Sequence, residues 1–223
     1  MDIDEIAALL HPFAELTPQQ LADTLTYINL LQKWNARINL TAVRNPQEVV
    51  TRHFGESFFA ARILLPKDLL DKGLLDKDLL AKAVHSQGDK TTVTDLGSGA
   101  GFPGLPMAMF APHANVTLIE SNGKKAAFLN EIIRALNLKN ATVFSHRAEE
   151  YSHPSSLVVM RAVEKFESSL LLAATLVEPG GRLAIMVSHP QVKHATSLVP
   201  QCTWQEPISI PGGHSRVLLA GTL

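Results

Sequence analysis

Cysteine is almost missing from this chain. Cys202 stands alone among 223 residues, so no internal disulfide can form, and a reducing compartment such as the cytoplasm is the expected setting. Long hydrophobic runs are missing as well: no apolar stretch approaches the roughly 20 residues of a bilayer-spanning helix, and no membrane role is expected. The beginning, Met1-Asp-Ile-Asp-Glu5, is acidic, unlike the basic start of a secretory signal. The nine histidines include no pair at a ligand spacing beside other donors; His189 and His194 lie five apart, off one helical face, so no metal is expected. Charge is scarce at 18% and cancels to a net −1, so any attraction for a polyanion has to be local. No Ser/His/Asp set or paired carboxylates stand out. What remains, 46% hydrophobic residues, is enough for one full α/β domain with a small extension.

Glycine is also sparse, at 13 residues, yet four crowd into eight positions: Gly97, Gly99, Gly101 and Gly104. A β-branched approach, Thr91-Thr-Val-Thr94, leads into them, and Leu105 to Met109 opens a helix. Strand, glycine turn and helix start make a place where backbone approaches a ligand closely. Asp95 falls at the carboxyl end of the strand, where open α/β sheets bind their ligands. Two cofactors fit. Gly99-x-Gly101-x-x-Gly104, with Glu120 about 20 residues on, matches a dinucleotide fingerprint and implies an NAD-dependent oxidoreductase. Gly97-x-Gly99-x-Gly101 behind Asp95 also fits S-adenosylmethionine (AdoMet), which the spacing favours by a small margin, with Asp95 and the turn at its amino-acid end and Glu120 at its ribose. Pro103 suits the first turn of the helix.

Ahead of this motif, Ile3 to Phe13 suggests a short helix broken near Pro12. Thr17-Pro-Gln-Gln20 is a capping-box start for a helix whose Leu21, Leu25, Ile28, Leu31, Trp34 and Ile38 form one stripe. Lys33, Arg37, Arg44, Arg52 and His53 follow in quick succession, a pattern suited to phosphate contacts. Glu48 to Leu65 reads as a further helix. Residues 66–82 repeat a Leu-Leu and acid/Lys unit like a duplicated insertion, and 86–90 form a polar linker.

After the glycine turn, strands at 115–119, 141–144, 157–160 and 182–187 alternate with helices at 124–138 and 164–177. Two more strands, 203–210 and 215–219, flank a Pro211-Gly-Gly213 turn. Near-continuous apolar strands between helices predict a doubly wound, mostly parallel α/β sheet with an N-terminal helical cap. The expected division is a helical extension over 1–90, with its insertion at about 66–90, and a main domain over 91–223.

Several stretches carry a resemblance: Leu31-Gln-Lys-Trp-Asn-Ala-Arg-Ile-Asn-Leu-Thr-Ala-Val-Arg44, Arg52-His53, Asp95-Leu-Gly-Ser-Gly-Ala-Gly-Phe-Pro-Gly-Leu-Pro106, Glu120-Ser with Lys124-Lys125, and Arg161-Ala162. In this order they resemble the small-subunit rRNA guanine-N7 methyltransferases, also called the glucose-inhibited division protein B family, over roughly 20–65 and 91–187. The resemblance selects AdoMet and implies a class I, Rossmann-like methyltransferase acting on N7 of a guanine in the 530 loop of 16S rRNA. It implies AdoMet contacts from Gly97, Phe102, Ala148, Glu149 and Arg161, to which Asp95, Gly99, Gly101 and Glu120 are added on the grounds above; Arg161 is the expected positioning residue for the reaction. Lys33, Arg37, Arg44, Arg52, His53, Lys124, Lys125 and Arg147 are the expected RNA-binding set. The expected partner is 16S rRNA or the small ribosomal subunit, with no metal and a monomeric protein. The chain departs from the family at Ser155-Ser156, where an Asp often opens the fourth strand, at Met186-Val187-Ser188, where Lys-Gly is usual, and at its C-terminal strand, which ends without the family's usual lysine.

Overall fold

The computed structural model describes residues 1–65, 91–212 and 215–223. The Leu-Leu repeat, the polar linker and the tip of the last turn lie outside the described residues.

Helix α1 (Ile3–Leu10) starts in a capping box between Asp2 and Glu5, and α2 (Pro18–Ile38) starts in the expected one between Thr17 and Gln20. Asn39 ends α2 in the left-handed region, φ 49°. The single helix expected over 48–65 is three pieces. Asn45 caps a short α3 (Pro46–Glu48), a π-helical stretch Val49–Gly55 follows, and α4 (Glu56–Leu64) continues it. One wide turn of this kind recurs where side chains have to be re-aimed.

The strands are β1 (Thr92–Leu96), β2 (Asn115–Ile119), β3 (Ala141–Phe144), β4 (Ser155–Arg161), β5 (Val177–Ser188), β6 (Thr203–Trp204), β7 (Ile208–Ser209) and β8 (Arg216–Thr222). They form one sheet in the order β3-β2-β1-β4-β5-β8-β6, with β7 also on β8; β1 to β5 are parallel and β8 is antiparallel to β5. Two expectations need correction. The fifth strand begins at Val177, before Pro179-Gly-Gly181, because those residues bulge: Ser155 pairs with Val177 and Leu157 already with Arg182. The strand expected over 203–210 is two short pieces, interrupted around Pro207, which has no N–H to give the ladder. Where an Asp often opens β4, hydroxyls stitch β4 to β1: Ser155 to Thr94 at 2.7 Å, and Ser156 to the Thr92 N–H and carbonyl at 3.0 and 2.9 Å.

Alternation along the strands divides the core in two. Val93, Val116, Leu118, Leu157, Val159 and Leu218 face α5 (Gly104–Phe110), α6 (Gly123–Ala135) and the N-terminal helices in one continuous cluster. Leu96, Val158, Met160, Leu183, Ile185 and Leu219 face α7 (Phe166–Thr175) and α8 (Val192–Leu198) in the other. The N-terminal helices therefore extend this face of the sheet, α4 packing on α5 and α2 on α6.

Candidate cofactor and nucleic-acid site

The glycine loop crosses the carboxyl ends of β1 and β2. Gly97 and Ser98 N–H groups both donate to the Ile119 carbonyl at 3.0 Å. Glu120, at the end of β2 and 8% exposed, accepts from Gly99 N–H at 2.9 Å and from Asn122 N–H at 2.8 Å, so its carboxylate ties the loop to the start of α6. Gly99, with φ 58°, faces open space: a side chain there would meet nothing nearer than the Gly97 carbonyl at 3.8 Å. Gly101 serves packing instead, since a β-carbon would run into the Tyr27 hydroxyl and Leu105.

Asp95 lies on the face of β1 turned towards α5. It is fully buried, and one oxygen accepts from Gly104 N–H at 3.0 Å while the other has no partner among the described residues. Burial pushes its carboxyl up to about 7, against the opposing pull of the Gly104 and Ser98 hydrogen bonds. Asp95 thus braces the loop from beneath. Pro103 is not inside the helix, as expected, but directly before it, after a cis peptide bond, and α5 begins at Gly104.

Phe102 is 7% exposed and stacks between two rings, Tyr27 at 5.4 Å and His53 at 4.8 Å, while Phe54 meets it edge-on. The Tyr27 hydroxyl donates to the Ala100 carbonyl at 2.5 Å. A chain of hydrogen bonds approaches the same point from α2: Asn35 Oδ1 accepts from Thr41 N–H at 2.9 Å, Thr41 Oγ1 meets His53 Nε2 at 2.7 Å, and His53 Nδ1 faces Arg161 Nη2 at 3.2 Å. With Arg161 donating, Nδ1 is the acceptor and Nε2–H the donor, the neutral tautomer. Burial, then the charges of Arg161, Arg52 and Arg216, holds the ring near 3, far below its ordinary value. The expectation of His53 as a phosphate-binding cation is corrected accordingly: it is a neutral connector between Phe102 and Arg161.

Arg161, at the end of β4, also pairs with Glu56 of α4 at 3.4 Å, and the other Glu56 oxygen is held by Arg216, the first residue of β8. The Glu56 side chain is 2% exposed; burial raises its pKa, opposed by Arg161, Arg216 and Arg52. Burial likewise lowers that of Arg161, which Glu56 counteracts. Arg52 turns to Glu48 at 2.9 Å. Of the other expected residues, Lys33, Arg37, Arg44, Lys124 and Arg147 are exposed and Lys125 is half-buried. Trp34 donates to Glu131 at 3.0 Å, so α2 and α6, which carry four of these cations, lie side by side. Ala148, half-buried, and Glu149, exposed, sit in a short 3-10 turn after β3.

Tyr27, Glu56 and Arg216 were not among the sequence candidates. Tyr27 is hidden in the apolar stripe of α2, whereas Glu56 follows Arg52 by one helical turn, a spacing that could have flagged it. Among the described residues no His, Cys, Asp or Glu cluster suits a metal, and no helix is long and apolar enough to cross a membrane.

A parallel sheet ending in an antiparallel β8, with a glycine loop over β1, defines the class I fold of AdoMet-dependent methyltransferases. Solved structures agree on that fold. Magnesium protoporphyrin IX methyltransferase from Synechocystis, solved with bound AdoMet, superposes with a TM-score of 0.61 at 13% identity, covering 94% of this chain and 98% of that one. An AdoMet-dependent methyltransferase from Aquifex aeolicus gives 0.51 at 17% identity, covering 72% and 95%. Sequence comparison narrows the class. The family described as rRNA small subunit methyltransferase G (GidB) matches residues 20–73 and 61–211, two overlapping stretches whose seam falls in the Leu-Leu repeat. Ribosomal RNA small subunit methyltransferase G from Xanthomonas euvesicatoria is 36% identical over 195 residues, 86% of this chain and 81% of that protein. Its counterpart from Stenotrophomonas maltophilia is 36% identical over 198 residues, 84% and 79%. The chain belongs to the rRNA small subunit methyltransferase G family.

Proposed function

We infer that this protein is an AdoMet-dependent methyltransferase that modifies N7 of a guanine in the 530 loop of 16S rRNA. Family membership supports the activity and cofactor, and the dinucleotide alternative is set aside with it. The observation that carries the site is the glycine loop, open at Gly99, fastened by Glu120 and linked to Arg161 through Phe102 and His53.

The residues fit the cofactor. Gly99 presents backbone to open space, Gly97 turns in the left-handed region with φ 72°, Glu120 is assigned to the ribose, and the Ala148-Glu149 turn to the adenine. Asp95 acts from below, by holding Gly104. AdoMet supplies an activated methyl group on a sulfonium. Guanine N7 is an acceptor bearing no proton, so no general base has to remove one. The protein's task is alignment and exclusion of water. Arg161, anchored by His53 and Glu56, is the positioning residue of this reading. N7 is hidden in the deep groove of an A-form helix, so the target guanine has to lie in a loop or be unstacked. Lys33, Arg37, Arg44, Lys124, Lys125 and Arg147 supply a cationic approach for the RNA. In this reading 1–90 is the helical cover and 91–223 the catalytic domain, and the protein works as a cytoplasmic monomer on 16S rRNA or the assembling small subunit.

Calorimetric titration with AdoMet and with NADH, followed by transfer of labelled methyl to 16S rRNA lacking the modification, tests this. AdoMet binding with label on a guanine is expected. NADH binding without AdoMet binding overturns the reading. Arg161→Ala is expected to lower turnover by at least ~10², the size of a lost charge-assisted contact; wild-type turnover removes Arg161 from the site.

A further inference from the structure

Three guanidinium groups, Arg52, Arg161 and Arg216, surround Glu56; the exposed Glu48 holds Arg52 from outside, and the charge of the buried Asp95 acts on Arg161. Among the described residues Arg216 has Glu56 as its one carboxylate partner and shares it with Arg161, while His53, held neutral, adds no charge. A buried N–H without an acceptor is costly, even where the rest of the side chain reaches solvent. Here Arg52 Nε, Arg161 Nη1 and Arg216 Nε are all buried with no hydrogen-bond partner among the described residues. Glu56 Oε2, at 3.4 Å from Arg161, also has no hydrogen-bond partner among them, so the unpaired groups are three donors against one acceptor, the composition of an anion-binding site.

Solvent reaches it from two sides. A cavity of about 300 Å³ is walled by Leu9 and Phe13 of the N-terminal segment and by Arg52, Glu56 and Arg216. A second, of about 530 Å³, is lined by His189, Ser209, Ser215 and Arg216. Both share Arg216 and Gly212. Arg216 pairs with Ser188 at the end of β5, so the meeting point lies at the carboxyl edge of the sheet, the same edge as the glycine loop.

We propose that Arg216 and Arg52 form a phosphate-binding site for the backbone of the substrate RNA, beside the nucleotide that is methylated. The cofactor's own carboxylate is the alternative anion, but β8 stands three strands from β1, about 14 Å at normal strand spacing, with β4 and β5 between. A polymer reaches both places at once; one AdoMet amino-acid end does not. Glu56 then has two duties: it holds Arg161 towards the cofactor side and Arg216 towards the RNA side. The proposal rests on the rRNA-methyltransferase reading and adds Arg216 to it.

The test measures AdoMet affinity, methyl transfer to unmodified 16S rRNA, and the salt dependence of RNA binding for wild type, Arg216→Gln, Arg216→Lys and Arg52→Gln. Arg216→Gln is expected to raise KM for RNA about tenfold, to flatten the salt slope by about one unit, and to leave AdoMet affinity unchanged. Arg216→Lys retains the slope but not the two-pronged grip, and recovers KM in part. If Arg216→Gln melts below wild type, Arg52→Gln, on a more exposed side chain, carries the same expectation. Unchanged KM and salt slope in a folded variant overturn the phosphate site while leaving the methyltransferase reading intact. Weakened AdoMet binding with unaltered RNA binding assigns the anion to the cofactor and overturns it too. A wild-type protein that transfers no methyl to rRNA overturns both.

Discussion

The two faces of the sheet are built differently. The face under the N-terminal helices is aromatic and contains buried polar groups: Tyr27, Phe54, Phe58, Phe102 and Phe128 pack there, with Asp95 and Glu56 among them. The fully buried layer under α7 and α8 is almost all Leu, Ile, Val, Met and Ala, with aromatic residues only at its partly buried margin, and its helices are joined at the surface by an exposed pair, His194 and Glu167. An aliphatic layer needs only volume and burial. Stacked rings fix distance and tilt as well, and each buried hydroxyl or carboxylate requires one particular partner. The site-bearing face therefore specifies positions, where the other supplies stability.

Mutations separate these duties. The largest loss of stability is expected on the plain face: Leu170→Ala, fully buried, costs about 2–5 kcal/mol by transfer and cavity terms. Thermal or denaturant unfolding measures it, and AdoMet affinity of the folded variant is expected to equal wild type. An affinity change there would erase the contrast. Tyr27→Phe is expected to cost less, about 1–3 kcal/mol, from leaving the Ala100 carbonyl unpaired, yet to weaken AdoMet binding because that carbonyl belongs to the glycine loop. Calorimetry checks this; intact affinity would show that the loop holds its shape without the hydroxyl.

The smallest effect at neutral pH is expected from His53→Gln, whose signature is a slope. Folded His53 titrates near 3, below its unfolded value near 6.5, so between those values the unfolded chain holds the extra proton. Stability contributed by the neutral ring is complete above about 6.5 and is lost as pH falls towards 3. The variant is expected to flatten the acid limb of a stability–pH profile. Asp95 works in the opposite sense: its raised folded value makes stability fall as pH rises from about 4 to about 7, where the unfolded carboxyl is already ionised.

Much of the scaffold was legible because its signals are local. The Thr17–Gln20 capping box, the near-continuous apolar strands and the glycine cluster each lie within a dozen residues, and they mark α2, β2 and β3 closely. The site was legible only where its residues share that cluster. Glu56, Arg161 and Arg216 come together because β4 and β8 are separated by one strand and α4 lies above their ends, a fact of topology that no short window contains. The neutrality of His53 was hidden for a related reason: beside Arg52 it looks basic, and only the distant Arg161 and Phe102 make it a neutral, half-buried ring. The bulge in β5 escaped because Pro179-Gly-Gly181 is as good a strand boundary as a strand interior.

The shared core of the N-terminal helices and the sheet also sets an order in time. Residues 1–65 are made before the rest, yet α5 and α6, against which α4 and α2 pack, are complete only at Ala135. At about 5–20 residues per second that is a delay of roughly 4–14 s. During it the apolar stripes of α1, α2 and α4 have nothing permanent to pack against. The helices that finish the molecule are synthesised before the part they finish, and the growing chain has to keep them soluble until their sheet arrives.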